Sequence, residues 1–123
     1  MTWMAREIGA VPGVVERQLA AAMDDYLETG RMLKRRAPAC VVTCARGSSD
    51  HAATYFKYLV ETRVGIPVGS MGPSVASIYE TPLKMANVPL VSISQSGAST
   101  DIVALQQAAR AGGAPTLALT NTA

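Results

Sequence analysis

Residues Pro89 to Asp101 read PLVSISQSGASTD, a stretch that few chain conformations accommodate. Leu90, Val91 and Ile93 form a short apolar run of the kind that makes a strand buried on both faces. The run breaks at Ser94, Gln95, Ser96 and Gly97. A helical pattern follows, with Ser99 or Thr100 as cap and Asp101 in the first turn. A strand that ends in a small polar loop at a helix N-terminus is an anion site in outline. The loop offers backbone N–H groups and short hydroxyls, Gly97 lets a ligand approach the backbone, and the helix dipole favours negative charge. Most Ser-Gly turns are ordinary capped connections. Four hydroxyls in seven residues, with a glutamine and a glycine among them, favour a phosphate cradle here.

Another strand that runs into a small polar loop lies upstream. Cys40 to Ala45 (CVVTCA) reads as a first strand, and Arg46-Gly47-Ser48-Ser49-Asp50-His51 follows it. Ser48 or Ser49 can cap the next helix, and Asp50 suits its first turn. That helix carries Ala52, Ala53, Phe56, Leu59 and Val60 on one side and ends near Gly65, with Pro67 beyond. Ile66 to Val68 reads as a short second strand, and Pro73 opens a helical turn through Val75, Ile78 and Tyr79. Val88 to Ile93 is the third strand. Its helix carries Ile102, Val103, Leu105 and Ala109 and stops at Gly112-Gly113. Ala114 to Leu119 is the fourth strand, leading into Thr120-Asn121-Thr122.

Ahead of these units, Met4 to Ile8 makes a helical turn and Pro12-Gly13 punctuates the chain. From Val14 to Arg36 the apolar positions Val15, Leu19, Met23, Tyr26, Leu27 and Leu33 recur mostly every three or four residues. The pattern predicts an amphipathic helix of about six turns, mildly interrupted at Gly30 and ended by Pro38. Tyr26, Met32 and Leu33 are candidates for an apolar face that a partner subunit or a missing half would cover. The expected organisation is a helical lead-in over 1–36 and an α/β unit over 37–123. No internal repeat or linker is present.

Strands alternate with helices, so the sheet should be parallel with helices on both faces: a doubly wound, three-layer α/β/α arrangement of the flavodoxin-like kind. In the order 2-1-3-4, strands one and three are neighbours. The crevice at their C-terminal ends is the topological switch point where ligands bind. The two hydroxyl-rich loops, RGSS and SQSGAS, follow those two strands. Their predicted meeting points to a small phosphorylated ligand.

Composition excludes several alternatives. A net charge of +2 on 123 residues gives no footprint for nucleic acid. Lys34, Arg35 and Arg36 end a helical pattern, where positive charge complements the dipole. No window approaches a membrane span. Arg6 and Glu7 lie where a signal peptide would be apolar, so the cytoplasm is the expected compartment. Cys40 and Cys44 on one strand would stand ~13 Å apart, beyond the ~7 Å reach of a disulfide, and read as small core residues. One histidine in the chain argues against a metal site. No cofactor is expected.

At the two loops the chain resembles the sugar isomerase (SIS) domain family. More narrowly, it is similar to the isomerase half of glutamine–fructose-6-phosphate aminotransferases and to glutaminase-free, SIS-type glucosamine-6-phosphate deaminases. The resemblance starts at MAREIGAVP (Met4 to Pro12), continues through ARGSSDHA and ISQSGAST, and ends with LALTN. It implies that Gly47, Ser48 and Ser49 form a first ligand loop. It implies that Ser94, Gln95, Ser96 and Ser99, with Gly97 in the turn, hold the sugar phosphate. Three departures stand out. The aminotransferases carry Cys in place of Arg46 and Glu-Thr in place of Ala98-Ser99, and their glutaminase domain is not seen ahead of Met4.

Members of the family carry two SIS subdomains in about three hundred residues, and this chain matches about the first. The resemblance puts the family's catalytic Lys, Glu and His downstream of it, so no catalytic residue is expected in this chain. His51 reads as structural.

The leading expectation is therefore the sugar-phosphate-binding part of an enzyme, acting as a homodimer. That enzyme would interconvert glucosamine-6-phosphate with fructose-6-phosphate plus ammonia. The alternatives are the isomerase domain of a glutamine-dependent aminotransferase and, least favoured, a non-enzymatic sugar-phosphate sensor.

Overall fold

The computed structural model describes residues 1–121. The chain divides into two compact units, Met1–Arg36 and a second that begins at Ala37.

The first unit is a single helix, α1, Trp3–Arg36, of 34 residues. Thr2 caps it: its hydroxyl accepts the N–H of Ala5 at 3.2 Å. Pro12 and Gly13, expected to break the chain, lie inside the helix. Pro12 has no N–H to give to the carbonyl four residues back, but its locked φ is close to the helical value. One lost hydrogen bond does not stop a run otherwise rich in Ala, Glu, Arg, Met and Leu. The helix closes with Lys34, Arg35 and Arg36 in its last turn and with Ala37 at φ 45° before Pro38. Glu28 accepts from Arg35 at 2.9 Å and pairs with Arg31 at 3.6 Å. The helix buries none of its residues. Its exposed apolar stripe runs through Ile8, Val11, Val15, Leu19 and Tyr26. Met32 and Leu33, expected to extend that face, are half-buried.

The second unit is a four-stranded parallel sheet in the order β2-β1-β3-β4. The strands are β1 Val41–Ala45, β2 Val68–Ser70, β3 Leu90–Ile93 and β4 Thr116–Leu119. The helices are α2 Ser48–Val64, α3 Ser74–Ser77 and α4 Thr100–Ala111. Fold class, strand order and direction are those expected.

Every strand starts later than its apolar run, and proline explains three of the four offsets. Pro67, Pro89 and Pro115 each stand directly before a strand and have no N–H for a ladder. Their carbonyls still accept, from Val41 N at 3.0 Å, Val42 N at 2.9 Å and Leu90 N at 2.9 Å. Pairing therefore begins one residue after each proline, and Ile66, Val88 and Ala114 fall outside the strands. Cys40 also lies outside, half-buried, while Cys44 is fully buried in β1.

Alternation along the strands feeds two cores. Val41, Val68 and Val91 pack with Phe56 and Val60 of α2 on one face. Cys44, Leu90, Ile102, Leu105 and Ala109 pack together on the other, with Met85 and Ala114. The sheet thus lies between α2 and the pair α3 and α4. Of the expected inner face of α2, Ala53 is buried and Phe56 and Val60 are half-buried, whereas Ala52 and Leu59 are exposed. Lys57 and Glu61 tie α2 to the edge strand. Lys57 Nζ donates to Val68 O at 2.6 Å and to Glu61 Oε1 at 2.9 Å, and Glu61 Oε1 also accepts Val68 N–H at 3.1 Å. The Lys57 hydrogen bond, then the one from Val68, holds the Glu61 carboxyl below its ordinary range.

Candidate functional site

Parallel pairing places the two loops together. Ala45, the last residue of β1, pairs with Ile93, the last of β3. Arg46–Gly47 and Ser94–Ser99 therefore leave neighbouring strands at the same edge of the sheet. Both lead into helices, so α2 and α4 begin beside the same crevice, at the switch point of a doubly wound sheet.

The first loop turns at Gly47, with φ 59° and ψ −135°. That backbone conformation is essentially confined to glycine. Gly47 is also the N-cap of α2, and no side chain caps that helix. Ser48 and Ser49, expected as caps, are instead its first helical residues, so their hydroxyls are not engaged in capping. Ser99 is the N-cap of α4, again without a side-chain cap hydrogen bond. Two helix N-termini thus meet at one crevice with no cap from their N-cap side chains, although in α4 one first-turn donor, Ile102 N–H, is taken by Asp101 Oδ1 at 2.8 Å.

The second loop is held by β4. Ser94 N–H donates to Leu119 O at 3.0 Å, and Asn121 N–H donates to Gln95 O at 3.2 Å. Within the loop, Ser94 Oγ accepts Gly97 N–H and Ser96 Oγ accepts Ala98 N–H, each at 3.2 Å. A hydroxyl oxygen that accepts a backbone amide still has its own proton to donate. These two bonds shape the loop around its serine oxygens.

Between the loops lies a cavity of about 230 Å³, lined by Gly47, Ser48, Ser49, Ser94, Gln95, Ser96 and Ser99, together with Arg46, Ile93 and Ile102. Seven of the eight site residues expected from sequence meet there. Gly97 does not: it lines a neighbouring hollow of about 160 Å³ against α4 and β4. Its φ of 64° assigns it to the turn itself rather than to the cavity wall. A larger hollow of about 290 Å³, between the segment after α3 and α4, is walled by residues such as Ala76, Pro82, Leu83, Ala104 and Ala108. It lacks the convergent hydroxyls and helix N-termini of the crevice, which is therefore the candidate site.

Arg46 is the residue that sequence reasoning left without a role. Its guanidinium donates to the carboxylate of Asp101 in the first turn of α4, joining the two loops. The available signal was a full positive charge directly after a buried strand. Beneath the crevice, Cys44 pairs in register with Ser92. Burial, then the charges of Asp101 and Asp50, push the Cys44 thiol up to about 11, with Arg46 opposing them. The thiol is protonated at neutral pH and unsuited to nucleophilic work. His51 is exposed and does not line the cavity. Among the described residues no group of His, Cys, Asp and Glu could hold a metal ion. No helix among them is long and apolar enough to cross a membrane.

No family model matches the chain. It is 35% identical, over 98% of its length, to the glutamine–fructose-6-phosphate aminotransferase (isomerizing) of Halobacterium salinarum, and spans 21% of that protein. Among solved structures it superposes on a "putative phosphosugar isomerase" of Silicibacter pomeroyi. That match has a TM-score of 0.94 and 44% identity, covering 99% of this chain and 37% of the other. The C-terminal domain of glucosamine-fructose-6-phosphate aminotransferase from Francisella tularensis shares the fold. There the TM-score is 0.79 with 22% identity over 98% of this chain and 35% of that one. The chain thus spans about a fifth of the curated aminotransferase and over a third of each of these solved chains. Sequence likeness and the common parallel sheet together make it a sugar isomerase (SIS) domain, homologous to the isomerase domain of glutamine–fructose-6-phosphate aminotransferase.

Proposed function

We propose that this chain is the sugar-phosphate-binding part of an enzyme that interconverts glucosamine-6-phosphate with fructose-6-phosphate plus ammonia. The observation that carries this reading is the crevice itself. Five serines of the two loops and Gln95 surround one small cavity, and two helices begin beside it with no hydrogen bond from an N-cap side chain. Hydroxyl and amide donors at helix N-termini suit a phosphate. The phosphate sits against Ser94, Ser96 and Ser99, and the sugar hydroxyls lie towards Gly47, Ser48 and Ser49.

The cavity wall holds no carboxylate, imidazole or amine among the described residues. Ring opening and proton transfer between the first two carbons need an acid and a base. In this reading those groups come from outside the chain, which binds and orients. Residues 1–36 act as a lead-in and residues 37–123 as a first subdomain. The protein works in the cytoplasm as a homodimer.

Likeness to a glutamine-dependent aminotransferase over nearly the whole chain favours a second reading, the isomerase domain of such an enzyme. The nitrogen donor separates the two. A parent protein that makes glucosamine-6-phosphate from glutamine supports the second, and one that releases or uses only free ammonia supports the first.

Calorimetric titration with fructose-6-phosphate and glucosamine-6-phosphate tests the binding site. Hydrogen bonds to charged groups contribute about 1.5–3 kcal/mol each. Ser96→Ala should weaken binding by at least about tenfold, and Ser94→Ala should act in the same direction. His51→Ala should change it little. Binding that is indifferent to both serine substitutions removes the second loop as the phosphate site.

A further inference from the structure

The serine loops account for a phosphate, but not for the guanidinium placed among them. Arg46 follows β1 directly and lines the same cavity as the serines. Its side chain is 65% exposed, that of Asp101 20%. Asp101 is fixed in two directions. One oxygen accepts Ile102 N–H at 2.8 Å and the other accepts from Arg46 Nη1. Asp101 is the one hydrogen-bond partner of Arg46 among the described residues. A guanidinium carries five N–H donors in a planar fork. Most of them are therefore unengaged, on a side chain anchored across the crevice.

A purely stabilising role explains little, because an ion pair this exposed contributes little to folding. The local charges suggest another. Both helices that begin at the crevice carry an acid in their first turn, Asp50 in α2 and Asp101 in α4. Each offsets the positive end of its helix and repels an incoming anion. Arg46 is the cation in the cavity wall that offsets part of this charge. Asp101 holds it at a fixed orientation, which lowers the entropy lost when its remaining donors close on a ligand.

We propose that Arg46 is a specificity-determining residue of the crevice: tethered by Asp101, its guanidinium receives the phosphate of the ligand and selects phosphomonoesters over the corresponding neutral sugars. This rests on the sugar-phosphate reading above. A lysine at this position would keep the charge but lose the planar fork.

The test is calorimetric titration of the full chain with fructose-6-phosphate, inorganic phosphate and fructose, repeated for Arg46→Ala, Arg46→Lys, Asp101→Asn and Ser96→Ala. Arg46→Ala should weaken fructose-6-phosphate by at least about tenfold, and Arg46→Lys should weaken it less. Inorganic phosphate should follow the same order, and fructose should be insensitive to Arg46. Asp101→Asn should weaken both phosphates, but less than Arg46→Ala does, because the guanidinium loses its tether and keeps its charge. If Arg46→Ala binds fructose-6-phosphate as the wild type does while Ser96→Ala does not, this proposal falls and the sugar-phosphate reading stands. If Asp101→Asn weakens both phosphates as much as Arg46→Ala does, the pair is only a clasp and the proposal also falls. If the wild type binds neither phosphate, the reading and the proposal fall together.

Discussion

Cys44 shows how far one residue reports on its surroundings. It is fully buried in the middle of the sheet, and burial, followed by Asp101 and Asp50, raises its thiol to about 11 from an ordinary 9.0. The folded state therefore keeps this proton at a pH where the unfolded chain has released it. The resulting stabilisation is fully present below pH 9 and is lost as pH rises towards 11. Denaturant unfolding followed from pH 8 upward should show a fall in stability over that window. The fall should be smaller in Cys44→Ala than in the wild type, and equal slopes in both would mean that the thiol is not held in this way. Such residue-level detail was only partly legible in the sequence. The serines and Gly47 were legible because small polar residues after an apolar strand have a chemical meaning at that place. The Arg46–Asp101 pair was not, because it joins residues 55 apart in sequence whose meeting depends on strand order and register.

At the scale of elements, hydrophobic periodicity gave the type and order of every strand and helix in the second unit. Element edges required different information. The prolines before β2, β3 and β4 decide where hydrogen bonding can begin, and apolar runs that continue through a proline overstate the strand. In α1 the opposite error arises from the same residue type. Pro12 reads as a break, yet the helix continues because one missing N–H costs less than abandoning the turns on either side. Core contributions follow the same logic of position. Leu105 of α4 is fully buried with Leu90 of β3 and Cys44 of β1, so this helix is fastened to the strands that carry both loops. Leu105→Ala leaves a cavity there and should cost about 2–5 kcal/mol, read from denaturant unfolding. Val103, on the opposite side of the same helix from Leu105 and 40% exposed, is the control: Val103→Ala should cost far less. Equal losses would mean that α4 does not pack as described.

At the scale of the whole molecule, the balance of covered and uncovered apolar surface matters most. The second unit contains two cores on the faces of its sheet. The first unit has none, and α1 buries no residue. Ile8, Val11, Val15 and Leu19 are 65%, 54%, 45% and 44% exposed, and their spacing of three and four residues lays them along one side of the helix. An apolar stripe of this length is unfavourable in water when uncovered, and contiguous patches of this kind mark association sites. The homodimer proposed above supplies a second copy of the same stripe. Self-pairing through a two-fold axis would cover both at once. Sedimentation equilibrium should then give a mass near twice the 12.9 kDa of the chain, falling towards one chain on dilution. The double substitution Val15→Glu, Leu19→Glu places two charges in the middle of the stripe and should return the protein to 12.9 kDa. It should not alter sugar-phosphate affinity if the crevice of the second unit binds on its own. A wild type that sediments as a single chain at every concentration would show that a second copy does not cover the stripe. A dimer that persists in the double variant would place the contact elsewhere on the molecule.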